Sequence, residues 1–261
     1  MTTLRKRPFL TSLIIYVIWT ALVLGGGVIA TGGSGSLDDL VRYRIMPHFL
    51  LVPILLLVVI FLLKWVPEVG LKRVSNPRDL WIIWLPVLYL LVFVISAALT
   101  GFSGLGDGVI WFVLINTLLV GINEELMFRG VLFYGSGARF GLLWTVVLTA
   151  VLFGSVHILN GFITGDFSNA MIQAAGAALS GVWYAALRFR LGSVFPGMIL
   201  HWLWDFLTFL GGSNILGSLI TPRFGVMGFI LAMQLPLALY GVWLLRKYRH
   251  QTPTPLNPVD A

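Results

Sequence analysis

Long apolar runs separated by short polar segments dominate this sequence. Eight runs reach about 20 residues, the length at which an α-helix crosses the hydrocarbon core of a bilayer. They cover residues 9–30, 47–66, 80–100, 109–134, 141–159, 169–187, 191–210 and 226–245. The pattern predicts an all-α fold, a polytopic membrane protein built as a bundle of about eight transmembrane helices.

The composition supports a membrane environment and excludes several classes of protein. Hydrophobic residues make up 58% of the chain and charged residues only 10%, whereas soluble domains carry roughly 25% charged residues. An ordinary soluble enzyme, a disordered chain and a nucleic-acid-binding domain are therefore excluded. The chain has no cysteine, which also excludes disulfides, thiolate zinc sites and cysteine nucleophiles.

The positions of the basic residues predict an orientation. If every run spans the membrane, one side receives Arg5, Lys6, Arg7, Lys64, Lys72, Arg73, Arg78, Arg139, Arg188, Arg190, Arg246, Lys247 and Arg249, and the other side receives Arg42, Arg44 and Arg223. Because lysine and arginine collect in cytoplasmic loops, we expect an integral cell membrane protein with both termini in the cytoplasm. Residues 1–251 read as one transmembrane domain, and residues 252–261, with three prolines, as a disordered cytoplasmic tail.

A few ionisable residues fall inside the predicted spans. Each costs roughly 2.5–3.5 kcal/mol near the bilayer centre on insertion scales. They are Glu124, Glu125 and Arg129 in the fourth span, His157 in the fifth, and His201 and Asp205 in the seventh. The four-residue spacing of Glu125 from Arg129 predicts an ion pair on one helix face. Such pairs can simply join helices, but Glu124 has no local partner of opposite charge, which favours a functional site.

Carboxylate and histidine side chains together are suited to activating water. A glutamate in a water-poor cavity can act as a general base, and a neighbouring histidine can hold or pass a proton. Alternatively, Glu124, His157, His201 and Asp205 can ligate a divalent metal such as zinc, which would generate the hydroxide. Both routes lead to hydrolysis, and the residues leave both open. His48 and His250 fall at span ends, where we expect them to be solvated.

Three short segments resemble the motifs of the CAAX-processing and bacteriocin-processing (CPBP, or Abi) family of intramembrane proteases. EELMFRG at 124–130 is similar to the family's EExxxR motif, FGSVH at 153–157 to FxxxH, and HWLWD at 201–205 to HxxxN/D. The three segments occur in the family's order on separate predicted helices. The resemblance covers a motif-bearing core at 109–206, and the first three spans are generic.

The resemblance implies a membrane-embedded endopeptidase with a cytoplasm-facing cavity, acting on a membrane-associated protein or peptide. Some members cleave prenylated CAAX tails from the cytoplasmic side, so a lipidated substrate is one option. Carried over, Glu124 would activate water with His157, and His201 with Asp205 would support the oxyanion or bind a metal. The family is labelled as metalloproteases, yet a metal-free glutamate mechanism has also been proposed for it.

The remaining motif positions refine this expectation. Glu125 and Arg129 would be accessory residues that shape the site. The prenyl-protein branch more often carries Asn where Asp205 stands. Since Asp is the better metal ligand and the poorer neutral donor, the difference tilts the expectation towards a metal such as zinc and away from a prenylated substrate.

Other functions remain open from the sequence. GFSG at 101–104 matches the rhomboid GxSG motif and GLGD at 104–107 the presenilin-like GxGD motif, but both fall in a predicted glycine-rich turn. HExxH is absent. A proton-coupled transporter also uses intramembrane Glu, His and Arg, although no two-fold repeat is evident. A non-catalytic scaffold or immunity protein could keep the same residues for packing.

Overall fold

The computed structural model describes residues 2–100, 106 and 108–248. Three sequence expectations fall at least partly outside these residues. They are the disordered tail at 252–261, the solvated His250, and the glycine-rich turn that carries GFSG and GLGD. Over the described residues the structure contains helices and no strand, which confirms the all-α prediction.

Twelve α-helices follow one another along the described chain. Their bounds are α1 Thr2–Arg5, α2 Pro8–Thr31, α3 Leu37–Arg42, α4 Pro47–Leu63, α5 Trp84–Thr100, α6 Val109–Glu125, α7 Phe133–Gly137, α8 Leu142–Ile158, α9 Asn160–Thr164, α10 Phe167–Leu191, α11 Phe195–Phe209 and α12 Asn214–Leu245. A 3-10 segment, Pro77–Ile83, leads into α5, and a π-helical segment, Leu126–Leu132, joins α6 to α7.

Six helical segments are long and apolar enough to cross a membrane, and α4 is a shorter apolar helix. The six are Pro8–Thr31, Pro77–Thr100, Val109–Gly137, Leu142–Thr164, Phe167–Leu191 and Asn214–Leu245. Their outward faces carry large apolar side chains such as Ile29, Leu99 and Trp111, which are 86%, 72% and 66% exposed. Lipid is the solvent that such a surface requires. The chain is an integral multi-pass membrane protein.

Two of the eight predicted spans are shorter than expected. The second, predicted at 47–66, forms the 17-residue α4, and the seventh, predicted at 191–210, forms the 15-residue α11. At 1.5 Å per residue these helices measure about 25 Å and about 22 Å, less than the roughly 30 Å hydrocarbon core. Gly192 ends α10 in the left-handed conformation (φ 68°), and the turn that follows delays the start of α11.

The segment 211–225, expected as a loop, is helical from Asn214 onwards. Its first turn is fixed on α5, where the backbone N–H of Ile215 donates a hydrogen bond to Ser96 Oγ (3.2 Å). At Gly225 the backbone leaves helical geometry (φ 68°, ψ 177°) and kinks α12. Contact with α5 supports a helix in this segment, which lies between the seventh and eighth predicted spans. The segment 31–46, between the first and second predicted spans, likewise contains α3, which begins in a capping box between Ser36 and Asp39.

The two ends of the bundle contain different segments. The basic end comprises residues 5–9, 64–79, 137–142, 188–195 and 244–248, and the α3 end comprises residues 31–48, 96–100, 158–167 and 209–214. At the basic end, Arg188 donates hydrogen bonds to the carbonyl oxygens of Arg129 (3.1 Å) and Glu68 (2.8 Å). At the α3 end, Arg42 donates to the carbonyl oxygen of Phe209 (2.7 Å). Contacts between distant parts of the chain therefore occur at both ends.

Candidate active site

Helices α6 and α11 approach so closely that their backbones touch. A Cβ at Gly121 would lie 3.0 Å from the backbone nitrogen of Trp202 and 3.2 Å from the carbonyl oxygen of Met198. A side chain at this position would force the two backbones apart by a few tenths of an ångström, so the crossing favours glycine. One turn further along α6, the close approach places residues 124–125 beside His201.

A buried π-helical turn follows the two glutamates and holds Arg129. All seven residues of Leu126–Leu132 are buried. Arg129 Nη1 lies 2.9 Å from Glu125 Oε1, with the two side chains 2% and 1% exposed. The ion pair predicted from the four-residue spacing is present. The guanidinium also lies over the rings of Phe153 (4.1 Å) and Tyr184 (4.8 Å), which further stabilise its charge away from water.

His201 connects three carboxylates. Its Nδ1 lies 3.0 Å from Glu125 Oε1, and because a carboxylate only accepts, Nδ1 carries the hydrogen of this bond. Its Nε2 lies 3.5 Å from Asp205 Oδ2 and 3.7 Å from Glu124 Oε2. The ring stacks on Tyr184 at 5.3 Å. Nε2 therefore faces two carboxylates, an arrangement that requires a proton among these three groups.

His157 presents one ring nitrogen for chemistry. Its Nδ1 lies 2.7 Å from the carbonyl oxygen of Phe153, one turn earlier on α8. A carbonyl oxygen only accepts, so Nδ1 is the donor, and in the neutral ring Nε2 carries the lone pair. His157 also lines cavities together with Glu124. Its free nitrogen can thus accept a proton or a hydrogen bond from water.

The depth of His157 differs from the sequence expectation. The predicted span 141–159 places this residue almost at its end. In the structure α9 continues the helical segment to Thr164, seven residues or roughly 10 Å beyond His157. His157 therefore lies deeper in the bundle, beside the cavity that Glu124, His201 and Asp205 also line.

The structure brings four of the predicted site residues to one cavity. Glu124, His157, His201 and Asp205 line a cavity of about 160 Å³. A second cavity, of about 240 Å³, shares the last three residues and extends to Gln234 on α12. Since one water takes about 30 Å³ in the liquid, both cavities have room for water beside these side chains.

The first cavity extends towards the α3 end of the bundle. Leu37, Leu40 and Val41 of α3 form part of its wall together with His48 at the start of α4. His48, expected as a solvated residue at a span end, is half-buried in this wall. The two termini of the described chain lie at the basic end, opposite to the end at which α3 lines the cavity.

The segment that builds this site matches a known protein family. Residues 106–207 match the family model described as type II CAAX prenyl endopeptidase Rce1-like. This match supports the CPBP family of CAAX proteases, which the motifs indicated from the sequence. The matched segment contains all six residues singled out from the motifs, and the matching family is one of peptidases. No curated protein matches the chain at significant similarity.

The donor atoms of this CPBP site are not arranged as a metal-ligand set. Among the described residues, no group of three or more His, Asp or Glu side chains has the geometry to hold a metal ion. His201 uses Nδ1 for Glu125 and turns Nε2 towards Glu124 and Asp205. Both of its nitrogens are thus directed at carboxylates, so the zinc site considered from the sequence does not fit this arrangement.

Uncharged amide side chains also line this site, and they were not among the ionisable residues singled out from the sequence. Asn160 donates a hydrogen bond to Gln173 Oε1 (2.8 Å), and both line the cavity. Gln234 is buried in the wall of the second cavity, where its Oε1 accepts no hydrogen bond from the described part of the chain. Amide side chains inside apolar runs would have been the sequence signal.

Proposed function

We propose that this CPBP-family chain is an intramembrane endopeptidase that hydrolyses a peptide bond of a membrane-associated protein or peptide. The observation that carries the proposal is the convergence of Glu124, His157, His201 and Asp205, from three helices, on one cavity large enough for water. Burial of ionisable groups in a bilayer is costly. A joint role of these four groups in hydrolysis explains why the protein buries them together.

Water activation falls to Glu124 and His157. Oε2 of Glu124, like Oε2 of Glu125, has no hydrogen-bond partner in the described chain, and Glu124 is the one of the two that lines the cavity with His157. The Glu124 carboxylate accepts one proton of the water as the water oxygen attacks the scissile carbonyl carbon. The lone pair on His157 Nε2 accepts a hydrogen bond from the second water hydrogen and orients the attack.

The other two residues, His201 and Asp205, stabilise the tetrahedral intermediate. The oxyanion accepts a hydrogen bond from a proton on His201 Nε2, which Asp205 and Glu125 hold in place (3.5 Å and 3.0 Å). Glu124 then delivers its proton to the leaving nitrogen, the C–N bond breaks, and a carboxylic acid and an amine are released. Arg129 positions Glu125 and does not touch the substrate.

The proposed steps need no metal, because Glu124 and His157 act on the water and His201 with Asp205 acts on the oxyanion. If zinc were bound instead, the same residues, Glu124, His157, His201 and Asp205, would have to rearrange to become its ligands, and the metal would supply a polarised water. The substrate class follows from membership in the family, whose matching model is described as a prenyl endopeptidase. A lipidated peptide is therefore among the substrates to be tested.

The proposal includes an orientation in which both termini are cytoplasmic. The residues at the basic end include Arg5, Lys6 and Arg7 before α2 and Arg246 and Lys247 after α12. Clusters of this kind next to a transmembrane helix are retained on the cytoplasmic side.

The test compares wild-type protein with Glu124→Gln, and Glu68→Gln serves as the matched control. Glu68 is a half-buried carboxylate at the basic end, far from the cavity. Fragments that depend on the protein are identified by mass spectrometry of membranes, and their rate of formation is measured after reconstitution. We expect Glu124→Gln to lower the rate by about 10²–10⁴-fold, the usual contribution of a general base, and Glu68→Gln to leave it unchanged.

A scaffold and a proton-coupled transporter give the opposite result. In both, wild-type and Glu124→Gln membranes would contain the same peptide fragments. Equal fragment formation by a folded, inserted Glu124→Gln protein would overturn the proposed mechanism.

A further inference from the structure

The second cavity, of about 240 Å³, adjoins the candidate active site. Its wall includes His157, His201 and Asp205 of the site, together with Gln234 on α12. Because the two cavities share these three residues of the site, a peptide with its scissile bond beside Glu124 can extend a nearby side chain into the second cavity. The second cavity is therefore a candidate pocket for a side chain of the substrate.

Close contacts between α10 and α12 fix the position of Gln234. A Cβ at Gly176 of α10 would lie 2.8 Å from Cγ2 of Ile230 on α12, and a Cβ at Gly241 of α12 would lie 2.7 Å from Cα of Trp183 on α10. Gln234 follows Ile230 by four residues and precedes Gly241 by seven, so the three share one face of α12. This face packs on α10 and directs Gln234 into the interior of the bundle.

The Gln234 side chain is a buried amide whose hydrogen bonds are incomplete. The residue is 9% exposed, and its Oε1 has no hydrogen-bond partner in the described part of the chain. Gln173, which also lines this cavity, differs because its Oε1 accepts a hydrogen bond from Asn160 (2.8 Å). An unpaired buried polar group is costly, and an apolar residue would avoid that cost. Gln234 therefore points to a ligand that supplies the missing hydrogen bond.

A carboxamide is the side-chain group that matches Gln234. Each primary amide carries a carbonyl acceptor and an NH2 donor, so two facing amides form a pair of reciprocal hydrogen bonds. A hydroxyl has one oxygen and does not reach both atoms of the Gln234 amide. An aliphatic side chain leaves the amide unpaired, and a charged side chain adds the cost of burying a charge within the bilayer.

We propose that Gln234 is a specificity residue and that the second cavity binds the carboxamide side chain of an asparagine or glutamine near the scissile bond of the substrate. The inference rests on the proposed function. It assigns a role to a residue of α12, which lies outside the segment 106–207 that matches the peptidase family.

A peptide library tests this specificity. The probe is a mixture of synthetic N-myristoylated peptides of randomised sequence, because the acyl chain brings each peptide to the bilayer. The mixture is added to vesicles that contain the purified protein, and mass spectrometry identifies the cleaved bonds. In a second measurement, the Glu124→Gln protein is immobilised in nanodiscs, and the peptides that it retains are identified without cleavage.

The variants remove the amide of Gln234 and leave the rest of the cavity in place. Gln234→Leu replaces it with an apolar side chain of similar size. Gln234→Met, which keeps an unbranched side chain, takes its place if Gln234→Leu fails to fold. Leu235→Ala is the matched control, because Leu235 is the next residue of α12 and is 41% exposed on its outward face.

We expect the wild-type protein to favour Asn and Gln over Leu and Met by about tenfold at one position near the cleaved bond, since an unpaired buried amide has a cost of this order. Gln234→Leu should abolish the preference while cleavage continues, and Leu235→Ala should keep it. Peptides retained by the Glu124→Gln protein should show the same enrichment, and adding Gln234→Leu to that protein should remove it.

Either of two results would overturn the inference. In the first, the wild-type protein cleaves the library with no preference for Asn or Gln near the cleaved bond. In the second, the preference is present but persists unchanged in the folded Gln234→Leu or Gln234→Met protein, so another part of the molecule recognises the amide.

The two measurements separate this inference from the proposed function. Cleavage without a carboxamide preference would support the protease and refute the pocket. Selective retention that depends on Gln234, without cleavage by the wild-type protein, would support the pocket and refute the protease. Neither cleavage nor selective retention would refute both.

Discussion

Two adjacent glutamates occupy different environments in this protein. Glu125 is almost fully buried and contacts Arg129 (2.9 Å) and His201 (3.0 Å). Glu124 lines the cavity, with His201 at 3.7 Å. A carboxylate that is held by a cation and a donor is a structural anchor, whereas one facing a water-sized cavity can exchange protons. The division of roles therefore depends on which side of α6 each residue occupies.

At the residue scale, we predict that hydrolysis does not require a metal ion. His201 Nδ1 carries the hydrogen that it donates to Glu125, and in the proposed mechanism Nε2 carries the proton that faces the oxyanion, so neither nitrogen offers a lone pair to a metal. Extensive dialysis of the purified protein against EDTA and 1,10-phenanthroline should leave the rate of fragment formation unchanged, and elemental analysis should find far less than one metal ion per chain.

Zinc-dependent activity would contradict this prediction. Activity lost on dialysis and restored by added zinc, together with loss of bound zinc in Asp205→Ala, would show a metal site made by rearrangement of the same residues.

At the scale of elements, the crossing of α6 and α11 determines the geometry of the site. The glutamates belong to one helix and the His201–Asp205 pair to the other, so their separation depends on how closely the helix backbones approach. Gly121 permits contact with Trp202. In a membrane, small residues at such crossings allow the close van der Waals packing that joins helices.

We therefore predict that Gly121→Leu separates the two helices and lowers activity by about 10²-fold, because a displacement of about 1 Å at reacting groups has effects of this size. Gly25→Leu is the matched control, since Gly25 lies within α2 and a Cβ there meets no atom within 4 Å. Rates of fragment formation and the amount of folded protein are measured for both. Equal activity of the two variants would contradict the prediction.

At the scale of the whole molecule, the two ends of the bundle differ in packing as well as in charge. Arg188, 5% exposed, donates hydrogen bonds to the carbonyl oxygens of Arg129 and Glu68 and so joins α10 to the π-helical turn and to the segment after α4. The α3 end, by contrast, contains the cavity. The basic end is therefore held by Arg188, whereas residues of the α3 end line the cavity.

We predict that Arg188→Gln destabilises the folded protein by about 3 kcal/mol, since it weakens two hydrogen bonds from a charged donor, worth about 1.5–3 kcal/mol each. Thermal unfolding in detergent should show a lower midpoint. A thiol at Val69→Cys, inaccessible in the parent, should become reactive when Arg188→Gln is added. Arg190→Gln is the control, because Arg190 makes one long hydrogen bond (3.4 Å) to the carbonyl oxygen of Leu244. If both substitutions lowered the unfolding midpoint equally, Arg188 would not be what joins α10 to the π-helical turn and to the segment after α4.

The sequence by itself determined the membrane environment, the all-helical fold and the Glu125–Arg129 pair. Each of these depends on composition or on residues within one or two turns, where periodicity and spacing are informative. It also singled out Glu124, His157, His201 and Asp205, because ionisable residues are rare in apolar spans. The predicted roles of these residues as base, oxyanion support or metal ligands remain proposals.

Only the tertiary structure decided how those residues meet and which way the cavity points. The hydrogen bond between His201 and Glu125 joins residues 76 positions apart, and no local pattern encodes it. Packing between distant segments likewise determines the positions of His48 and Gln234 in the walls of the two cavities. It also determines the helix at 214–224 and the depth of His157. Local preference fixes helices and faces, whereas the approach of one helix to another creates the site.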